Sequence, residues 1–181
     1  MLSWLIRNRL AAFERKYDYD ISYAREILAA DRKAFMIFAK LSALGRYRRD
    51  VPKDVFWAAK LVGTVAEDCG PCTQLTVAMA LDDGATPRTL ASVLAGHDAQ
   101  LPEDVRLGAA FARASLAHDP AADPLREEIV RRWGARALVS LAFGITAARV
   151  FPTIKYALGH GKACRRVTVA GEPVAVARGD V

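Results

Sequence analysis

The chain predicts an all-α protein, on three observations. Apolar, alanine-rich stretches recur with helical spacing, β-branched residues are scattered through them, and Gly and Pro fall mostly between them, where helices stop and start. With 181 residues, 52% of them hydrophobic, the chain is long enough to bury one sizeable core and too apolar for a disordered segment. The pattern divides into an N-terminal helical extension over residues 1–50, a helical domain over 51–160 and a short extended tail over 161–181. The extension is expected to pack on the core or on a neighbouring subunit.

The first helix carries Leu2, Leu5, Ile6, Leu10 and Phe13 on one face and Arg7, Arg9, Arg15 and Lys16 elsewhere. Such a helix packs on protein or lies on a membrane surface, and packing is the expectation here. Residues 21–44 continue with helical periodicity through Ile27, Leu28, Phe35, Phe38 and Leu41, and Gly45 is placed to stop them. Asp50-Val51-Pro52 opens a helix through Phe56, Trp57, Leu61 and Val65, and Cys69-Gly70-Pro71-Cys72 opens the next, which runs to Gly84. Thr86 is set to cap Pro87 at the start of a short helix ending at Gly96. Pro102-Glu103-Asp104 opens another through Leu116, and Asp123 is set to cap Pro124 in a helix ending at Gly134. A long final helix follows from about Ala135 to Leu158, with Pro152 a place for it to kink. In the tail, Val167, Val169, Val174 and Val176 alternate about Gly171-Glu172-Pro173, which suits a small hairpin or an extended arm.

Charge argues against nucleic acid as a partner. The net charge of +6 is spread as +5 over residues 1–50, −3 over 51–100, +1 over 101–150 and +3 over 151–181. The basic excess lies at the two ends, and Arg46-Tyr47-Arg48-Arg49 is a short cluster that reads as a solvated loop, not a basic stripe. Met1 to Arg7 is apolar too briefly for a signal peptide, and the run Ala137 to Val150 is too short to span a bilayer. Three cysteines are too few, and odd in number, for a disulfide-stapled secreted scaffold. A cytoplasmic protein is expected.

Cys69 and Cys72 are the residues with chemistry in them. Two cysteines separated by two residues close a small disulfide ring on the first turn of a helix, where unpaired amides and the helix dipole favour a thiolate. Pro71 suits that turn because its missing N–H costs nothing there. Glu67 and Asp68, just upstream, oppose thiolate formation by charge, yet a carboxylate in reach can take the thiol proton and return it. Redox use is the leading reading. The alternatives are ordinary core cysteines, a structural disulfide, or half of a zinc site completed from Cys164, His97, His118 and His160, none of which forms a matching pair. The histidines read as loop and helix-end residues, Cys164 as a lone tail cysteine, and no cofactor or metal is expected.

Cys-Gly-Pro-Cys is also the thioredoxin tetrapeptide, but there it follows a β-strand, whereas Phe56 to Asp68 reads as helix. The chain better resembles the alkyl hydroperoxidase D-like, or carboxymuconolactone decarboxylase-like, superfamily over roughly residues 52–160. The resemblance rests on Glu67-Asp68-Cys69-Gly70-Pro71-Cys72-Thr73-Gln74-Leu75, then Met79-Ala80-Leu81, Gly84-Ala85-Thr86-Pro87, Pro102 to Ala112, and the final Ala-rich helix with Ala147-Ala148-Arg149-Val150-Phe151. It implies a helical bundle that assembles as a homo-oligomer, commonly a trimer or a multiple of one. It also implies a disulfide-cycling site in which Cys72 attacks the hydroperoxide, Cys69 resolves it and an external thiol donor reduces the pair. Two positions depart from that pattern: Thr76 stands where a His is expected, and Trp57 where a Glu is expected. Glu67 is then the candidate base. The rival reading from another class is a non-catalytic helical oligomer that binds a protein or membrane partner through its basic N-terminal arm.

Overall fold

The computed structural model describes residues 2–162 and 166–177, so Cys164 lies outside the described residues. Nine α-helices, two short 3-10 turns and one two-stranded hairpin make up the regular structure among them. The centre is α4 (Lys53–Val65), a helix with all residues from Val55 to Thr64 buried. It packs against α7 (Glu103–Leu116) and α9 (Ala135–Ala157) most extensively, with α5 (Gly70–Asp82) and α6 (Pro87–Leu94) on its other sides and α8 (Ala122–Trp133) bridging α7 and α9.

Close approach of these helices depends on glycine. A Cβ on Gly108 would stand 2.6 Å from Val55 Cγ1 and 3.3 Å from the Val55 carbonyl oxygen, and one on Gly63 would stand 3.0 Å from the Ile145 carbonyl oxygen. Gly108→Ala is therefore expected to destabilise the fold. The overpacking costs about 1–3 kcal/mol and outweighs the helix-propensity gain of about 1 kcal/mol. Urea unfolding checks this, and an unchanged or higher midpoint would show that Val55 yields freely.

Several helix starts differ from the sequence expectation, each for a local reason. Residues 21–44 are not one helix: α2 (Ser22–Ala30) ends and α3 (Arg32–Leu41) begins at Asp31, which is extended (φ −157°, ψ 123°) and accepts the Lys33 amide on its side chain at 2.7 Å. A short 3-10 turn, Leu44–Arg46, follows. Thr86 makes no side-chain cap; its own amide donates to Asp54 Oδ1 at 3.0 Å. Asp123 lies inside the first turn of α8 and pairs with Arg126, while Asp119 accepts the Ala121 amide at 2.8 Å just before that helix begins. The basic cluster is knitted in: Arg48 pairs with Asp83, and Arg49 donates its amide to Ser140 Oγ at 2.9 Å.

The last helix is longer than the apolar run in its sequence. At 23 residues, α9 is long and apolar enough to cross a membrane by length and composition, and less than half of its apolar window is buried. Its inner face, from Ala137 and Leu141 to Ala148 and Pro152, lies in the protein core, while Val139 and Phe143 face outward. The helix continues through Pro152, and Thr153 Oγ1 donates to the Arg149 carbonyl at 2.8 Å beside it.

Both chain ends fold back over α5. The tail forms an antiparallel hairpin, β1 (Arg166–Val169) and β2 (Glu172–Ala175), joined through Ala170 (φ 50°) and Gly171 (φ 90°). Two successive positive φ values are the signature of the tight turn that matches strand twist. Val167 and Val169 are buried, and Gln74 of α5 makes a reciprocal amide pair with Thr168, donating at 3.0 Å and accepting at 2.8 Å. At the other end, Ile6, Leu10, Phe13 and Tyr17 of α1 (Leu2–Tyr17) join Tyr19, Ile21, Tyr23, Ala24 and Phe35 in a second apolar cluster, which includes Leu75 of α5 and Ile154 of α9.

Candidate functional site: a buried cysteine pair at the start of a helix

Helix α4 ends in a turn in which the Glu67 and Asp68 amides donate to the Thr64 and Val65 carbonyls at 3.2 and 3.0 Å. Asp68 takes a left-handed conformation (φ 46°), which a short polar side chain tolerates. Its carbonyl accepts the Tyr156 hydroxyl at 2.8 Å, so α9 holds the turn from outside. This bend delivers Cys69 to the N-cap of α5, with Gly70 and Pro71 opening the helix. The Gly70 amide, one of the donors a helix start leaves unpaired, is taken by the Lys162 carbonyl at 2.9 Å.

Cys69 and Cys72 are joined in a disulfide, with their Cα atoms 5.3 Å apart. The pair is enclosed: Cys69 has no exposed surface and Cys72 is 5% exposed. The first turn is further secured by Thr73, whose amide and hydroxyl both reach the Cys69 carbonyl, at 2.9 and 3.0 Å.

The hydroxyl that meets the sulfur comes from the N-terminal extension. Tyr19 Oη lies 3.7 Å from Cys72 Sγ, and both residues are buried. Sulfur in a disulfide has no proton, so the tyrosine donates. Behind it stands Lys155 of α9, 1% exposed, its Nζ 4.6 Å from the Tyr19 ring centroid and 5.3 Å from that of Tyr23. Burial drives the Tyr19 hydroxyl well above the usual phenol range, so it remains a donor, and burial also raises Tyr23, opposed by its hydrogen bond with Tyr19. Burial also holds the Lys155 amine below its ordinary value, opposed by the negative charge of Asp20. Among the described residues, no carboxylate forms an ion pair with Lys155.

Glu67 is placed beside the turn, but its carboxylate faces α9. Arg149 Nε donates to one oxygen at 2.5 Å, and Thr153 Oγ1 lies 3.2 Å from the other. A paired guanidinium is the stronger attractor, and Glu67 makes no hydrogen bond with Cys69 or Cys72. Thr76, one turn after Cys72, donates to the Cys72 carbonyl at 2.9 Å and meets the Thr64 hydroxyl at 3.1 Å. Trp57 is remote from the disulfide: its Nε1 donates to Asp83 at 2.8 Å, beyond the far end of α5. Helix α5 is 13 residues long, about 18 Å from Gly70 to Asp82 at 1.5 Å per residue, so a carboxylate at position 57 would not reach the sulfurs.

His97 and His118 are exposed. His160 does structural duty beyond the end of α9: Nδ1 meets Ser22 Oγ at 3.1 Å and Nε2 meets Glu26 at 2.7 Å, pinning α2 next to Tyr23. Among the described residues, no group of three His, Cys, Asp or Glu side chains is arranged to hold a metal ion.

Beside the cysteine turn runs a groove of about 820 Å³ with Asp68 and Thr73 in its wall. Val62, Val65 and Val93 line it, and the Asp98–Arg113 ion pair stands at its edge. Sequence reasoning missed Tyr19 and Lys155. The available signals were a tyrosine-rich link, Tyr17-Asp18-Tyr19-Asp20, between two apolar helices, and a single lysine in an otherwise apolar helical stretch. Comparison with family models, with curated proteins and with solved structures finds no match to this chain, so the site stands on its own geometry.

Proposed function

We propose that this protein is a cytoplasmic thiol–disulfide oxidoreductase that reduces hydroperoxides through a Cys69–Cys72 cycle. The observation that carries the reading is the buried disulfide at the first turn of α5, with a hydroxyl donor on Cys72. A helix start favours thiolate, and thiolate is the species that attacks peroxide or disulfide.

In the cycle, the Cys72 thiolate attacks the hydroperoxide; the O–O bond breaks, Cys72 becomes a sulfenic acid, and the alkoxide leaves and takes a proton to become the alcohol. The Cys69 thiol then attacks the Cys72 sulfur, the S–S bond forms and water leaves. An external dithiol reduces the disulfide by exchange and is itself oxidised to a disulfide. One hydroperoxide and one dithiol thus give one alcohol, one water and one disulfide. The apolar lining of the neighbouring groove suits a hydroperoxide with an apolar body.

An all-helical bundle with a CxxC opening a helix directly after an apolar helix supports membership of the alkyl hydroperoxidase D-like superfamily. It also supports assembly as a homo-oligomer, for which the outward Val139 and Phe143 of α9 supply an apolar face. Thiol titration tests the function. The fully reduced protein, given one equivalent of an alkyl hydroperoxide, is expected to lose the thiols of Cys69 and Cys72 and to regain both with a dithiol. If both stay reduced while the protein remains folded, the redox reading fails.

A second reading is favoured by the exposure of Trp4 (63%) and Leu5 on α1 and of Ile37 (67%) and Met36 on α3, beside basic residues. These surfaces suit a membrane or protein partner of the N-terminal arm. Sedimentation with anionic lipid vesicles discriminates: binding that persists in a protein lacking both thiols, with no peroxide turnover in the wild type, would favour it over the redox reading.

A further inference from the structure

We propose that Tyr19 is the catalytic hydrogen-bond donor to the Cys72 thiolate, with Lys155 as the positioning residue that sets its ring. The proposal rests on the reading of Cys69 and Cys72 as a cycling pair, and it gives the N-terminal extension a place in that site. Three independent observations converge. First, Tyr19 Oη meets Cys72 Sγ at 3.7 Å in a buried setting, 53 residues apart in the chain, so folding and not sequence proximity brings them together. Second, the buried Lys155 ammonium lies over the rings of Tyr19 and Tyr23 at 4.6 and 5.3 Å, an arrangement in which a cation draws on the ring face and strengthens the O–H as a donor. Third, the extension is fastened over α5 at several other points: Tyr17 donates to Asp82 at 2.9 Å, Lys16 pairs with Asp82, and His160 ties α2 to the end of α9. The tyrosine is therefore built into the site and not a loose neighbour of it.

The chemistry required of Tyr19 is simple. When the disulfide is reduced, Cys72 needs a partner for the charge it carries, and the family His position is filled by Thr76, whose hydroxyl is spent on the Cys72 carbonyl. Glu67 is spent on Arg149 and Thr153. Among the described residues, Tyr19 supplies the side-chain hydroxyl on the sulfur. It donates to the thiolate before attack, and it is placed to donate to the leaving alkoxide as the O–O bond breaks, with the proton restored from solvent between turnovers. The charged and titratable groups around this contact are Asp20 and Tyr23 from the α2 side, Lys155 from α9, Cys69 on α5, and Glu67, Asp68 and Arg149 around the turn, together with Lys162 after α9.

The test compares the full-length wild type with Tyr19→Phe and Lys155→Met, each kept reduced, by following alkylation of Cys72 with iodoacetamide from pH 6 to 10 and assigning the modified peptide by mass spectrometry. Tyr19→Phe keeps the ring in its apolar cluster. It is expected to raise the midpoint of the Cys72 profile by about one pH unit, since a hydrogen bond to the charged form of a group favours that form and its loss disfavours the thiolate. Lys155→Met is expected to move the midpoint the same way by a smaller amount. A merely structural role would scale the rate by one factor at every pH and leave the midpoint in place, and unmoved midpoints in both variants would overturn the proposal. Peroxide titration of the wild type judges the redox cycle separately, so a cycling protein with an unmoved midpoint removes Tyr19 and leaves the cycle standing.

Discussion

Cys72→Ser is expected to lower hydroperoxide-dependent oxidation of the thiol donor by at least about a hundredfold, because a hydroxyl at that position is not ionised near neutral pH and cannot replace a thiolate. The informative comparison is with Cys69→Ser. That variant keeps the attacking sulfur and its Tyr19 contact but has no partner to expel water from the sulfenic acid. It is expected to consume one equivalent of hydroperoxide and stop, with the sulfenic acid trapped by a dimedone-type reagent on Cys72. Cys72→Ser should consume none. The reverse pattern, one equivalent in Cys72→Ser and none in Cys69→Ser, would exchange the two roles and place the nucleophile at the N-cap of α5. Equal turnover in both variants and the wild type would remove the pair from the reaction altogether.

Lys60→Met is expected to stabilise the fold at pH 7 by about 1–3 kcal/mol, the residual after the lost hydrogen bond is set against the relieved burial of charge. Lys60 is 7% exposed inside α4; its Nζ donates to the Gly45 carbonyl at 3.1 Å and lies 4.6 Å from the Trp57 ring. Those partners do not replace water. Burial brings the amine down from 10.5 to about 8, with Asp83 opposing the fall. The sign of the pH dependence follows from this. Between about pH 8 and 10.5 the unfolded chain binds the proton that the folded chain has released, so the wild type gains stability as pH rises through that window. Below about pH 8 the full cost, on the order of 3 kcal/mol, is present and constant. The advantage of Lys60→Met should therefore shrink by roughly 2 kcal/mol between pH 7 and 9.5. Urea unfolding at the two pH values measures it. A variant less stable than the wild type at pH 7 would mean that the Gly45 carbonyl and the aromatic rings more than compensate the buried charge.

Helix starts were legible where proline and glycine punctuate the chain. Val51-Pro52, Gly70-Pro71, Pro87 and Pro102 each mark a helix start within a residue or two. They were misread where a side chain made the decision. Asp31 breaks the expected long helix of residues 21–44 because its carboxylate takes the Lys33 amide; Thr86 and Asp123 look like caps, but the Asp54 side chain takes the Thr86 amide and the Asp123 carboxylate pairs with Arg126. Competition of this kind between short polar side chains and backbone is local in space but not unique in sequence, since several nearby residues have the same capacity.

The sequence by itself determined that this is a helical protein with a cysteine pair at a helix start, because periodicity, helix breakers and the CxxC spacing act over one or two turns. It also placed Glu67 within two residues of Cys69, and that adjacency did not decide its contacts. Only the tertiary structure settled what surrounds the pair: the Glu67 carboxylate lies against Arg149 and Thr153 of α9, and Tyr19 and Lys155 arrive from opposite ends of the chain. The physical reason is that an ion pair, a ring–cation contact and a buried hydroxyl are fixed by which faces pack together. Those faces meet only once the two apolar clusters have closed over α5.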